Sequence, residues 1–303
     1  MTSKRLSLLL SLLVLISVVV TACGAPAATP TPVPPTKAPA APTTVPPTAV
    51  PTAAPTKPPA APTAAPTAAP TAVPTAVPTV KPTPFPVKVG TDATFKPMEY
   101  KDEKTGAIIG FDVDMFNAIC AELGCTATFE NVNFDGILIG LAAKKYDVVV
   151  SSVTVTDGRK KEYLFSDPYI NAGQIVAVRA DEKVILGPET ITKTSRIGVQ
   201  LGTTGEEEGK KIAQKVGASV KSYDDITLAF ADLAAGRLDC VINDSPITAD
   251  YIASNPNAKL KTVGKVFTEE YYGIVFRQAD TALQTRVNAA LKKIKDSGKL
   301  TEL

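Results

Sequence analysis

Six residues that can offer carboxylate, hydroxyl or free backbone groups follow predicted β-strands. In open α/β sheets, ligands bind outside the carboxyl ends of the strands. We therefore expect these residues to line a polar binding cleft. They are Asp92, Ser151, Thr154, Gly202, Thr203 and Asp244.

Several classes of site are excluded by composition. The chain has no histidine, which rules out Ser-His-Asp and Cys-His catalysis and zinc sites of the Cys/His type. Five of its 32 basic residues precede residue 87, so the remainder carries 27 basic against 30 acidic residues. A nucleic-acid-binding domain concentrates basic charge, so we expect no nucleic-acid partner.

Strands and helices alternate from residue 87 onward, in the βαβ pattern of a parallel sheet. A second series begins near residue 195. In it, Thr203 and Glu206 have the spacing of a capping box and predict a helix to about residue 217. The predicted strands are 87–91, 126–130, 147–151, 196–200, 218–223 and 239–243. The predicted helices are 110–124, 134–145, 203–217, 225–236 and 280–297, with a further helix after Ser245-Pro246.

Two short apolar strands, 174–179 and 272–277, bracket the second series. The pattern predicts two α/β lobes, each a mainly parallel sheet flanked by helices, with these strands crossing between them as a hinge. Lobe one would comprise 87–177 plus 275–303, and lobe two 178–274.

The N-terminal residues 1–23 predict a secretion signal, because two basic residues precede an apolar run too short for a comfortable membrane span. Its end, Val20-Thr21-Ala22-Cys23, resembles the bacterial lipoprotein signal. That resemblance implies that Cys23 is acylated and anchors the protein outside the cell membrane. The alternative is ordinary cleavage that leaves Cys23 as a free thiol.

Residues 24–86 form a tract rich in Pro, Ala and Thr, and residues 1–86 hold 21 of the 26 prolines. Proline favours extended geometry, so we expect a stiff stalk, with a reach of about 190 Å if fully extended. The alternative, a disordered linker, is compatible with this.

The three other cysteines are Cys120, Cys125 and Cys240. Cys120 and Cys125 are five residues apart across a predicted helix end. We expect buried thiols there, with a local disulfide as the alternative. Cys240 lies in an apolar strand and is expected to be a core residue.

Six stretches in the predicted folded part carry a family resemblance: 90–97, 110–114, 154–160, 165–169, 202–204 and 272–274. Through these stretches, which occur in family order, residues 87–303 resemble the family 3 extracellular solute-binding proteins, the polar-amino-acid receptors of ABC importers. The resemblance implies a two-lobed fold of the periplasmic-binding-protein type II class that closes on a free amino acid.

The resemblance implies roles for the polar residues. Arg159 would hold the ligand α-carboxylate with Thr154 and with the backbone near Thr203 and Thr204, since a guanidinium binds a carboxylate in a two-pronged hydrogen bond. Asp244 would hold the α-ammonium, helped by the carbonyl of Ser152. The alternatives are that Arg159 is a solvated charge beside two lysines, and that Asp244 and Thr203 only cap helices.

Side-chain specificity is assigned by the same resemblance. Phe95 and Phe134 match aromatic residues that sandwich the ligand side chain, although both are alternatively core residues. Asp92 and Ser151 match contacts in lysine/arginine/ornithine-binding relatives, and Gln200 and Asn243 differ from glutamine-binding relatives. These differences favour a basic amino acid, arginine first, over the alternative of glutamine or another polar amino acid. Asp112 is a further candidate, but its motif occurs whatever the ligand.

We therefore expect a lipid-anchored receptor with no cofactor or metal, whose partners are a free amino acid and an ABC permease. We do not expect an enzyme. The rivals are a cyclohexadienyl-dehydratase-like enzyme on the same fold and a sensor or adhesin domain on a stalk.

Overall fold

The computed structural model describes residues 84–303. The predicted signal, Cys23 and nearly all of the predicted stalk lie outside these residues. Within 84–303, no helix is long and apolar enough to cross a membrane.

The strands in this part of the chain are mostly short. In chain order they are β1 (Phe85–Thr91), β2 (Thr94–Phe95), β3 (Glu99–Lys101), β4 (Ile108–Ile109), β5 (Cys125–Asn131), β6 (Val148–Val149), β7 (Tyr163–Phe165), β8 (Ile170–Ala172), β9 (Gln174–Arg179), β10 (Arg196–Gln200), β11 (Ser219–Tyr223), β12 (Cys240–Asp244), β13 (Leu260–Val263), β14 (Glu270–Tyr272) and β15 (Val275–Arg277).

The α-helices agree with the predicted ones to within a few residues, including the helix predicted after Ser245-Pro246, and two additional helices have four residues each. In chain order the α-helices are α1 (Phe111–Leu123), α2 (Phe134–Ala142), α3 (Asp157–Lys160), α4 (Thr204–Val216), α5 (Ile226–Ala234), α6 (Ser245–Ser254), α7 (Thr281–Asp296) and α8 (Lys299–Glu302). Single 3-10 turns lie at Pro188–Thr190 and Pro256–Ala258.

Two five-stranded sheets define two lobes, as predicted. The first has the order β5-β1-β6-β15-β7 and the second β11-β10-β12-β9-β13. In each sheet the βαβ units pair in parallel, and the strands next to the crossovers pair antiparallel. The sheets are therefore mixed, because the chain reverses direction where it passes between lobes.

Strand β9 does not cross between the lobes, contrary to its predicted role. It pairs with β12 and β13 inside the second sheet, and Val176 and Val178 are buried in that lobe's core. The lobe boundary predicted at residue 177 thus falls within a strand of the second sheet.

The strands that pair between the lobes are β8 and β14. The predicted strand 272–277 is broken at Gly273 into β14 and β15. A Cβ atom at Gly273 would lie 2.9 Å from the Val155 side chain, so glycine allows the chain to pass there. The paired strands β8 and β14 lie where the chain passes from one lobe to the other.

Strand β1 begins at Phe85, two residues earlier than predicted, and takes in the end of the proline-rich tract. Pro86 is opposite Thr126 of β5, near the beginning of β1. A proline is tolerated near the start of a strand because its missing N–H leaves no ladder position unpaired there.

Cys120 and Cys125 form a disulfide, contrary to the expectation of free thiols. Gly124 ends α1 in the left-handed conformation, with φ 68°. The chain turns back there at once into β5, which brings the two Cα atoms to 4.6 Å. Cys240 is a buried free thiol, as expected.

Candidate ligand-binding site

A narrow cavity lies between the lobes. Its nine lining residues were all predicted from the sequence. The first lobe contributes Phe95, Phe134, Ser152, Thr154 and Arg159, and the second contributes Gln200, Thr203, Thr204 and Asp244.

Arg159 is held at the cavity by short helix α3. Thr156 caps this helix by accepting a hydrogen bond from the Arg159 backbone N–H, at 3.2 Å. The guanidinium donates to the carbonyl oxygens of Thr154, at 2.9 Å, and Gly202, at 3.1 Å. Burial lowers the pKa of Arg159, and carboxylates that include Asp244 oppose this shift. Arg159 is therefore a partly buried cation held by two carbonyl oxygens, and not one of three solvated charges.

The first turn of α4 faces the same cavity from the second lobe. Thr203 is its N-cap, with the hydroxyl accepting from the Glu206 N–H at 3.1 Å, as the capping-box spacing predicted. The Thr203 side chain therefore caps α4. It is the beginning of this helix that lies at the cavity. Helix N-termini carry free N–H groups and attract anions. This end of the cavity suits a carboxylate.

Asp244 supplies the opposite charge. It precedes α6 but does not cap that helix with its side chain. Its carboxylate instead accepts hydrogen bonds from the Gln174 amide and the Tyr272 hydroxyl. Burial raises its pKa to about 6. A buried carboxylate with no cation bonded to it is suited to binding an ammonium group.

Asp92 lies behind the cavity lining and connects the lobes. Its carboxylate accepts from the Gln200 amide at 2.8 Å, the Thr94 hydroxyl at 2.9 Å and the Phe134 N–H at 3.2 Å. Its own N–H donates to the Ser151 hydroxyl at 2.9 Å. Burial raises its pKa to about 6. Asp92 itself does not line the cavity, whereas its partner Gln200 does.

Three of the twelve predicted site residues are therefore near the cavity but do not line it: Asp92, Ser151 and Gly202. Gly202 has φ 79°, and a Cβ atom there would lie 3.1 Å from the Asp135 Cα of the other lobe. Glycine thus allows the lobes to approach closely at this point.

The two phenylalanines occupy different positions at the cavity. Phe95 is buried, whereas Phe134 is partly exposed and its ring centre lies 5.6 Å from the Arg159 guanidinium carbon. Both rings contact the cavity, so neither is solely a core residue.

A group of polar side chains around Asp244 was not predicted from the sequence. Gln174 lies opposite Asp244 in the antiparallel pair of β9 and β12, and Tyr272 ends β14. Glu270, also in β14, accepts hydrogen bonds from Thr154 and Thr204. The family-matching stretch 272–274, which includes Tyr272, was the one feature of the sequence that pointed to this group.

A second feature is the fully buried carboxyl pair Glu99 and Asp112, of which only Asp112 was a candidate from the sequence. Asp112 accepts from the Ser152 N–H and the Tyr169 hydroxyl, both at 2.8 Å, and Glu99 accepts from the hydroxyls of Ser151 and Ser152. Burial, reinforced by Asp112, raises the pKa of Glu99 well above its ordinary value. This pair holds Ser152, which has φ 49°, in its unusual conformation. Asp112 therefore supports the backbone at Ser152.

Two α/β lobes joined by paired strands, with a partly buried cation and a buried carboxylate facing one cavity, define a two-lobed ligand-binding protein. Residues 87–303 match the bacterial extracellular solute-binding proteins, family 3, and the chain belongs to this family.

Its relatives include a probable histidine-binding protein from Neisseria gonorrhoeae, 33% identical over 71% of this chain and 80% of the relative. Among solved structures, an ancestral arginine-binding protein bound to arginine is 40% identical, with a TM-score of 0.70 over 73% of this chain and 96% of the other. An ancestral amino acid-binding protein described as a precursor of cyclohexadienyl dehydratase is 36% identical, with a TM-score of 0.67 over 72% and 92%.

Proposed function

We propose that this protein is an extracytoplasmic amino-acid receptor that closes on a free L-amino acid and delivers it to an ABC permease. The observation that carries the proposal is the pair of opposite charges, Arg159 and Asp244, at one cavity. A free amino acid presents a carboxylate and an ammonium on one carbon. Arg159 with the start of α4 would bind the former, and Asp244 with the Ser152 carbonyl the latter.

We propose a basic side chain, arginine first. The support for a basic ligand side chain is a pair of hydrogen-bond acceptors, the Gln200 Oε1 atom and the Asp92 carboxylate. Gln200 directs its amide N–H groups to Asp92 and to the Asp224 carbonyl, and its Oε1 is buried without a partner among residues 84–303. An unpaired buried acceptor in front of a carboxylate suits a guanidinium or ammonium group. Glutamine is the alternative, because its amide also donates hydrogen bonds.

The proposed mechanism is hinge closure at β8 and β14. The amino acid first contacts Arg159 and the phenylalanines of the first lobe. The second lobe then adds Asp244 and the 202–204 loop, and closure creates the joint surface that a permease recognises.

The test is calorimetric titration of the purified protein with the twenty amino acids, ornithine, citrulline and cystine. We expect the tightest binding for arginine, lysine or ornithine. Tight binding of glutamine alone would keep the receptor and refute the basic specificity. No binding, with product formed from prephenate or arogenate, would favour the dehydratase-like enzyme that one similar structure suggests.

We further propose that Cys23 is acylated and that residues 24–86 form a stalk from the membrane. Expression of the full chain with labelled palmitate should label the wild-type protein and leave Cys23→Ala unlabelled and released from the membrane fraction. Equal membrane association of both forms would contradict the anchor. Cys240→Ala, which changes a buried thiol of the second lobe, is the matched control and should remain labelled.

A further inference from the structure

Glu270 lies in the hinge strand and joins the two lobes through threonine hydroxyls. Its Oε2 atom accepts from the Thr154 hydroxyl at 2.9 Å and from the Thr204 hydroxyl at 2.7 Å. Its Oε1 atom accepts from the Thr268 hydroxyl at 2.7 Å. The Glu270 side chain is buried, with 7% of the residue exposed. A carboxylate of the protein therefore lies directly behind the proposed carboxylate end of the cavity.

Thr154 and Thr204 line the cavity where the ligand α-carboxylate is proposed to bind. A threonine hydroxyl carries a single proton and donates one hydrogen bond at a time. Each hydroxyl can therefore donate to Glu270 or to the ligand, but not to both. A ligand carboxylate there would also lie close to a second negative charge.

We infer that Glu270 is an internal competitor of the ligand α-carboxylate and thereby determines the affinity of the site. This inference rests on the proposed function. When the ligand binds, the Thr154 and Thr204 protons turn from Glu270 to the ligand. Since Glu270 is opposite Ala172 in the paired strands β14 and β8, this exchange occurs at the hinge.

The test compares L-arginine with agmatine, which lacks the α-carboxylate. Glu270→Gln keeps the side-chain shape and removes the charge. We expect it to bind L-arginine about tenfold more tightly than the wild type, the equivalent of one charge-assisted hydrogen bond. Agmatine should show no gain, because it does not compete for the hydroxyls.

Glu269→Gln is the matched control, because Glu269 is the exposed neighbour and accepts only from the Tyr271 hydroxyl in the described structure. It should leave both affinities unchanged. If circular dichroism shows that Glu270→Gln does not fold, the same two affinities are measured for Glu270→Asp. Because its shorter carboxylate cannot reach both hydroxyls, this variant should also gain affinity for arginine and not for agmatine.

Weaker or unchanged arginine binding by folded Glu270→Gln, or an equal gain for agmatine, would overturn the inference and leave the proposed function intact. A wild-type protein that binds no amino acid would instead refute the proposed function, and this inference with it.

Discussion

The Arg159 guanidinium of the first lobe donates a hydrogen bond to the Gly202 carbonyl of the second lobe, at 3.1 Å. The cation proposed to hold the ligand therefore also connects the lobes. Gly202 immediately precedes the threonines at the start of α4. Closing the lobes and assembling the anion end of the cavity are consequently the same structural event.

Arg159→Lys should weaken the binding of every amino acid by at least about 100-fold. Lysine carries the charge but cannot hold a carboxylate with two parallel hydrogen bonds while bonding two carbonyl oxygens. Calorimetry with arginine and one neutral amino acid measures this. Lys160→Ala, an exposed neighbour, is the control and should bind as the wild type does. An Arg159→Lys affinity close to the wild-type value would show that Arg159 only joins the lobes.

Asp92→Asn should weaken cationic ligands alone, by about tenfold. The amide is nearly isosteric and its oxygen can still accept from Gln200 or Phe134, so the fold should be kept. Arginine loses a charge interaction, whereas citrulline, which has the same length without the charge, does not. Unchanged arginine affinity in this variant would refute the acidic specificity pocket.

Gly202→Ala should impair closure. Its φ of 79° is unfavourable for alanine, and the new Cβ would lie 3.1 Å from the Asp135 Cα across the cleft. We expect amino-acid affinity to fall about tenfold, and small-angle scattering of the liganded protein to show a more open form. Gly136→Ala is the control, because its Cβ meets no atom within 4 Å in helix α2. Equal affinities of the two variants would contradict close approach at Gly202.

Amino-acid binding should strengthen between pH 5 and pH 7 and then level off. Burial raises the pKa of Asp244 to about 6, so it is largely protonated at pH 5. A ligand ammonium favours the carboxylate, and binding at low pH must release a proton. The dissociation constant should fall by at most about tenfold per pH unit for one proton. Citrulline is the better ligand here because it does not involve the Asp92 charge.

Ionisation of Asp244 has the opposite effect on folding stability. A carboxyl whose folded pKa is raised binds its proton more tightly when folded, so its contribution is full below about pH 4 and is lost as the pH rises through about 6. The free energy of unfolding of the ligand-free protein should therefore fall over this range.

For ligand binding, calorimetric titration in two buffers of different ionisation enthalpy counts the released protons. Affinity that is constant or declines from pH 5 to pH 7 would contradict the role of Asp244.

Local signals in the sequence predicted much of the fold. The Thr203 and Glu206 spacing located the start of α4, and Gly124 located the end of α1, because caps depend on a few neighbouring residues. The same local reasoning misassigned β9. An apolar strand has the same pattern in either lobe, and only its pairing with β12 and β13 decides to which lobe it belongs.

The sequence by itself determined the residue types of the site and their order at the ends of strands, since the strand pattern and the family motifs are properties of short stretches. Only the tertiary structure decided which side chains form hydrogen bonds with the buried charged groups. Gln174, Glu270 and Tyr272 reach the Asp244 region through antiparallel strand pairing. The hydrogen bonds that they make there join residues 28 to 116 positions apart along the chain. Such contacts depend on how the sheets pack, so no local pattern encodes them, and they determine the pKa values and competing hydrogen bonds that govern binding.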